Sequence, residues 1–410
     1  MSKQLYSAEF IFPGHPDKLS DAIADALVCE AHQREARALV GVEVAVHRDH
    51  VYVTGRIGCV DAHTIDVQQL VQDVYESAGY NNDWYPSPAQ VQVVSNLCLG
   101  PLEDGEAEFR ALADDQAVCI GYANDLVPTN HLPVEQWLVS RLAKRLYALR
   151  LDAPELGLGP DGKVLIALSE VAEVYATEAA NGLGMGFNFG ARSGDAAASV
   201  MSDQAGLGLE GKRSWTLEHF SCSLQQKVAS DEIALHRAVR LAVKEELALA
   251  AALVPGLSAA CPQQLTVNGA GAFEVGGPEG DNGLSGKKLV VDAYGPRVPI
   301  GGGAWSGKDF YKADRAGGMH ARRLAKIIVQ LGIAKEAQVV LGWFPGDQQA
   351  RVLRATGAGG VPLQVEHLVK NFDLSLNKSG DCFSRKDLID IARWGHFSDA
   401  TLPWETMELL

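Results

Sequence analysis

Apolar residues recur every four positions at Leu19, Ile23 and Leu27, which predicts a helix whose other side carries Asp21, Asp25 and Glu30. Val40, Val42, Val44 and Val46 then alternate with polar neighbours. After a turn near Arg48, Asp49 and His50 the alternation resumes at Val51 and Val53, so a hairpin follows the helix. A second helix is predicted over 64–78. Residues 100–114 are short of large apolar groups and rich in Gly, Glu and Asp, which suggests a mobile lid loop over 101–114. Further along, the pattern predicts helices over 134–149 and 230–253, the latter N-capped by Ser230, and strands over 164–168 and 215–224. Residues 181–211, rich in Gly, Ala and Ser, interrupt this order as an insertion. A helix ending near Gly332 and a strand over 339–343 come last. Helices and strands mix throughout, so the class is α/β or α+β. The divisions are an N-terminal domain at 1–100, a central domain at 115–268 and a C-terminal domain at 269–410.

Length agrees with that division, since 410 residues suffice for two or three cores. No apolar run is long enough to span a bilayer, and the first nine residues lack the basic-then-apolar order of a secretory signal. Seven scattered cysteines, never in CxxC spacing, fit reduced thiols in a cytoplasmic protein. A net charge of -15 argues against nucleic acid as a partner. It does not exclude a small anion, because a pocket can be locally positive, and between residues 287 and 323 Lys and Arg outnumber Asp and Glu.

Three segments concentrate chemistry. Gly14-His15-Pro16-Asp17-Lys18 stands directly before the first helix, where a helix N-terminus favours anions. A histidine, a carboxylate and a lysine there supply a phosphate donor, a magnesium ligand and a counter-charge, or simply a polar cap. Gly276-Gly277-Pro278-Glu279-Gly280-Asp281, followed by Gly286-Lys287-Lys288, is either an anion-binding turn or a glycine-rich hairpin with solvated lysines. The third segment runs from Gly301 to Asp309 and on through Lys312, Asp314 and Arg315. Its Gly-x4-Gly-Lys spacing is not a P-loop, because Asp309 replaces the required Ser or Thr and a polar stretch precedes the next helix. What remains is a cationic glycine-rich loop with Asp314 placed to hold a divalent metal.

Together the GHPDK pentapeptide, GGPEGDNGLSGKK, VVDAYG and GGGAWSGKDFYKADR resemble the signatures of S-adenosylmethionine synthetases, in the order and approximate spacing of that family. Lesser matches surround Asp115, Asp161-Gly162-Lys163 and Gly395-His396-Phe397. The resemblance implies three similar α/β domains of mixed sheet plus helices around a pseudo-threefold axis, in homodimers or homotetramers with shared active sites. It implies attack of methionine sulfur on C5′ of ATP, and release and hydrolysis of tripolyphosphate. The roles that follow by resemblance place His15 at the C5′ leaving oxygen, Asp17 and Asp314 on magnesium, and Glu43 on potassium. Lys163, Lys287, Lys288, Lys308 and Lys312 surround the polyphosphate; Asp161, Phe273 and Ala304 lie at the nucleotide, Asp281 between nucleotide and amino acid, and Asp115 near the sulfonium.

Departures from the family pattern fall on the amino-acid side. Arg56 stands where a glutamate is expected for the methionine ammonium, Trp343 where an isoleucine is expected, Asp114 where a glycine precedes Asp115, and the lid is short and lacks its glutamine. A guanidinium where an ammonium binds is repulsive. These changes leave open adenosyl transfer to a non-methionine nucleophile, an ATP tripolyphosphatase or hydrolase, and a catalytically weak regulatory homologue.

Overall fold

The computed structural model describes residues 2–174, 211–384 and 387–406. The insertion expected at 181–211 therefore lies, but for Gly211, outside the described residues.

The strands are β1 (Ser2–Ile11), β2 (Leu39–His47), β3 (His50–Gly58), β4 (Gln92–Gly100), β5 (Ala117–Asn124), β6 (Leu158–Val174), β7 (Gly211–Gln226), β8 (Leu265–Val267), β9 (Gly283–Leu284), β10 (Glu336–Trp343) and β11 (Arg351–Thr356). The helices are α1 (Pro16–Arg34), α2 (Val67–Ser77), α3 (Glu106–Phe109), α4 (Val134–Asp152), α5 (Glu232–Leu253), α6 (Gly277–Gly280), α7 (Leu289–Asp292), α8 (Ala313–Gln330), α9 (Glu366–Val369), α10 (Leu376–Phe383) and α11 (Leu388–Trp394).

Three sheets result, ordered β1-β6-β7-β8, β11-β10-β5 and β4-β3-β2-β9. Each mixes strand directions or sources: β3 pairs β4 in parallel across the α2 crossover, and β7 pairs β8 in parallel across α5. Each sheet also takes a strand from a distant stretch of chain. β1 joins β6, β5 joins β10, and the two-residue β9 joins β2, so both glycine-rich loops are stitched to the N-terminal hairpin. The hairpin forms as its alternation predicts: Val40, Val42, Val44, Val46, Val51 and Val53 are buried. Glu43, Thr54 and Arg56 lie on the other face.

The polar side of α1 is present but covered. Asp17, Asp21 and Asp25 are 1%, 0% and 0% exposed, because the loops ahead of α7 and α8 wrap over that side. The fifth helix begins later than its pattern suggested. Asp231, not Ser230, caps it by accepting from the Ile233 and Ala234 N–H groups.

Candidate active site

Phosphate-sized anions need N–H groups and ammonium groups held in one place, and α1 organises both. His15 is its N-cap, with extended backbone, and Pro16 opens the helix. The His15 Nδ1 accepts from the Asp17 N–H at 3.1 Å, so the neutral ring carries its proton on Nε2. Burial lowers the His15 pKa below its ordinary value, against the opposing pull of Asp161 and Asp17. The imidazole is therefore a neutral donor near pH 7.

His15 lines a cavity of about 360 Å³ together with Asp161, Lys163, Phe273 and Asp281. Its floor is rigid. The Asp161 Oδ2 accepts the Gly277 N–H at 2.7 Å, and the Phe273 carbonyl accepts from the Gln226 N–H at 2.9 Å. Burial raises the Asp161 pKa, with His15 and the loop N–H groups pulling the other way. Lys163 is paired with Glu9 at 2.7 Å, and Asp281 accepts the Asn282 N–H at 2.7 Å. Of the residues named from the resemblance, His15, Asp161, Lys163, Phe273 and Asp281 come together around one cavity, and Ala304 is not among those lining it.

The cationic loops lie beside it. Lys287 and Lys288 approach the Asp17 carboxylate at 3.4 and 3.5 Å, and the Asp17 Oδ2 is buried without a hydrogen-bond donor. Lys308 pairs with Asp314 at 2.6 Å, and Lys312 pairs with Asp114. Two glycines permit this crowding. Gly286 has φ +75°, and a Cβ there would sit 2.4 Å from the Ala304 Cβ; a Cβ on Gly303 would overlap the Asp314 carboxylate. Ala304 therefore seals one loop against the other. Glu43 accepts from the Ser285 hydroxyl at 2.7 Å on the open face of β2. Asp115 is exposed just before β5 and accepts the Gln116 N–H at 2.7 Å.

Among the described residues no group of three or more His, Cys, Asp or Glu converges as a metal cage. Magnesium is commonly held by one or two carboxylates plus substrate phosphates and water. The undonated Asp17 oxygen and the Lys308-paired Asp314 fit such a role.

The segment expected to be a lid is bound down as a strap. Arg56 donates to the Pro101 carbonyl at 2.8 Å and to the Glu106 carboxylate at 3.0 Å, with Glu103 at 3.9 Å. For the Glu106 carboxyl, slight burial raises the pKa, but the Glu103 N–H and Arg56 outweigh it and the net shift is downward. At the other end the buried Arg110 donates to Asp309 at 2.6 Å and to the Ala38 carbonyl at 2.8 Å, and it stacks 4.4 Å from the Tyr311 ring. Trp343, counted among the departures on the amino-acid side, is 1% exposed and packs with Cys119 and Ala316 beneath the first turns of α8. Any influence it has on the site passes through α8.

Sequence reasoning missed Asp21, Asp25, Arg110 and Asp309 as site-building residues. The i, i+4, i+8 spacing of Asp17, Asp21 and Asp25 was the available signal, since it puts three acids on one helix face.

Sequence models of the S-adenosylmethionine synthetase family match this chain twice, the N-terminal domain at residues 3–98 and the C-terminal domain at 275–406. Curated relatives align over nearly their whole length. The S-adenosylmethionine synthase of Desulforudis audaxviator is 29% identical, covering 100% of this chain and 97% of the relative. That of Thermosynechococcus vestitus is 29% identical over 99% and 96%, and that of Deinococcus deserti 27% over 98% and 96%. The mixed α/β fold and these matches point to one class of enzyme. The chain belongs to the S-adenosylmethionine synthetase family.

Proposed function

We propose that this protein is an ATP-dependent methionine adenosyltransferase, forming S-adenosylmethionine or a close analogue and releasing phosphate and diphosphate. The observation that carries this is the placement of His15 at one cavity with Asp161 and Phe273, directly beside the acid-paired lysines 287 and 288. The thioether sulfur attacks C5′, the C5′–O bond breaks, and the electron pair leaves on tripolyphosphate. Water then hydrolyses that product. A thioether needs no general base, so positioning and charge neutralisation carry the rate. His15 donates toward the oxygen that gains charge; Lys163, Lys287, Lys288, Lys308 and Lys312 take up the phosphates. Magnesium bound through Asp17 and Asp314 would supply further neutralisation, with potassium near Glu43. The lysine–carboxylate pairs suit this exchange, because Mg-polyphosphate brings cations for the acids and anions for the lysines at once.

Arg56 is already matched by Glu106 and three backbone carbonyls, which weakens the expectation that it repels an ammonium. Methionine is thus the first nucleophile to test. Assembly into homodimers or homotetramers with shared sites, and residence in the cytoplasm, belong to the same reading. Among the described residues no helix is long and apolar enough to cross a membrane.

Incubation with ATP and magnesium, with and without methionine, followed by mass identification of products, tests the proposal. S-adenosylmethionine with phosphate and diphosphate is expected. Phosphates without an adenosyl product would show a hydrolase, and no calorimetric signal with Mg-ATP would reject nucleotide chemistry altogether.

A further inference from the structure

The face of α1 behind the site carries a ladder of acids, each holding a backbone N–H of a cationic loop. The Asp17 Oδ1 accepts from Leu284 at 3.1 Å, the Asp21 Oδ1 from Gly286 at 2.7 Å, and the Asp25 Oδ1 from Gly307 at 3.0 Å. Asp17 also meets Lys287 and Lys288, and Asp25 is locked bidentately to Arg315 at 2.6 and 2.9 Å. Asp21 differs from both. It is 0% exposed, makes no ion pair among the described residues, and its Oδ2 has no hydrogen-bond partner.

An unpaired carboxyl in a helix core is expensive, and an apolar side chain there would serve packing better. The loop supplies the reason for it. Gly286 turns with φ +75° against Ala304, one residue before Lys287, and has no side chain itself, while Ser285 beside it is tied to β2 through Glu43 and the Val44 N–H. We propose that Asp21 is a positioning residue: by accepting the Gly286 N–H it fixes the direction in which Lys287 and Lys288 leave the loop, and so the affinity of the site for polyphosphate. The proposal rests on the functional reading above. Burial first, and then the neighbouring Asp292, raise the Asp21 pKa, so the role calls for an acceptor oxygen rather than a charge. An amide can supply that oxygen.

The test uses the full chain with magnesium and inorganic tripolyphosphate. Calorimetry, the melting midpoint and hydrogen exchange at the Gly286 amide are compared for wild type, Asp21→Ala and Asp21→Asn. Asp21→Ala should weaken tripolyphosphate about tenfold and speed exchange at Gly286, the effect of losing one buried acceptor. Asp21→Asn should stay within about threefold of wild type on the same principle. A folded Asp21→Ala protein with wild-type affinity overturns the proposal, as does an Asp21→Asn protein that melts normally but binds as weakly as expected for Ala. If Asp21→Ala does not fold, Asp21→Asn alone decides on those terms. Failure of wild type to bind tripolyphosphate would instead reject the functional reading, while exchange at Gly286 still reports on the tether.

Discussion

The cavity around His15 and the strap beside Lys312 are built on different principles. In the cavity, side chains are fixed by backbone: His15 on the Asp17 N–H, Asp161 on Gly277, Phe273 through its own carbonyl. At the strap, charge meets charge: the partly exposed pairs Arg56 with Glu106 and Lys312 with Asp114, anchored by the buried pair of Arg110 with Asp309. Backbone-held groups are pre-organised and cost nothing to realign during reaction. Ion pairs that are partly exposed exchange partners readily, since each contributes little net free energy. One half of the site is therefore set before the ligand arrives, and the other includes exposed ion pairs that a polyanion can replace. The departures from the family pattern, Arg56 and Asp114, fall in that second half.

The largest expected effect comes from breaking the pre-organised half. His15→Asn should lower adenosyl transfer about 10²- to 10³-fold, the usual cost of one donor at a developing oxyanion, while Mg-ATP affinity in calorimetry changes only a few-fold. If affinity and turnover fall together, His15 contributes to ground-state binding, and the contrast between the halves is wrong. A second effect concerns α8, which carries Asp314 at its start and His320 two turns later. His320 is fully buried, donates from Nε2 to the Ser375 carbonyl at 3.2 Å, and has its pKa pushed down to about 4, chiefly by burial. A histidine with a lowered folded pKa stabilises above its unfolded value, about 6.5. Stability is then lost as pH falls from about 6.5 to about 4, on the order of 3 kcal/mol in all. Denaturant titrations at pH 7 and pH 4.5 should show that loss, and His320→Gln should flatten it. An unchanged slope would mean that His320 is not the group responsible.

The pre-organised half was largely legible in the sequence, because its residues sit in short contiguous motifs: His15 with Asp17, Asp161 with Lys163, and Gly277 with Asp281. A local motif fixes its own geometry through caps and turns. The strap half depends on pairs such as Arg110 with Asp309 and Lys312 with Asp114, about 200 positions apart, and no local pattern announces such a pairing. The burial of Asp21 and Asp25 was not legible for a related reason. Apolar spacing marks which face of a helix is buried, but it cannot say that loops from residues 284 to 307 will cover the opposite face as well. The burial of Trp343 was not legible, because a substitution at an aligned position says nothing about how deeply the ring packs.

Arg56→Glu probes the strap more gently. It sets a carboxylate beside Glu106 and Glu103 and removes the bond to the Pro101 carbonyl, so the strap should loosen. About a fivefold loss of kcat/KM for methionine is expected, with most of it recovered in Arg56→Glu/Glu106→Arg, as for a partly exposed pair. A gain in methionine turnover from the single change would show that Arg56 opposes the substrate directly rather than tethering the strap.

The smallest effect should be the most specific. Asp114 is half exposed and sits on the Lys312 ammonium, whose other proposed partner is phosphate. Both cannot hold the ammonium equally, so Asp114 lowers the affinity of the site by whatever its own pair contributes. For a pair this accessible that contribution is about 0.3 to 1 kcal/mol. Asp114→Asn keeps the shape and removes the competing charge, and it should tighten Mg-tripolyphosphate about two- to fivefold at low salt. The gain should shrink as salt rises, since screening weakens the competing pair in wild type. His15→Asn should show no comparable salt dependence, because its contact is to a backbone N–H. If Asp114→Asn instead weakens binding, the Asp114–Lys312 pair orders the lysine for its ligand, and the strap half is as pre-organised as the cavity.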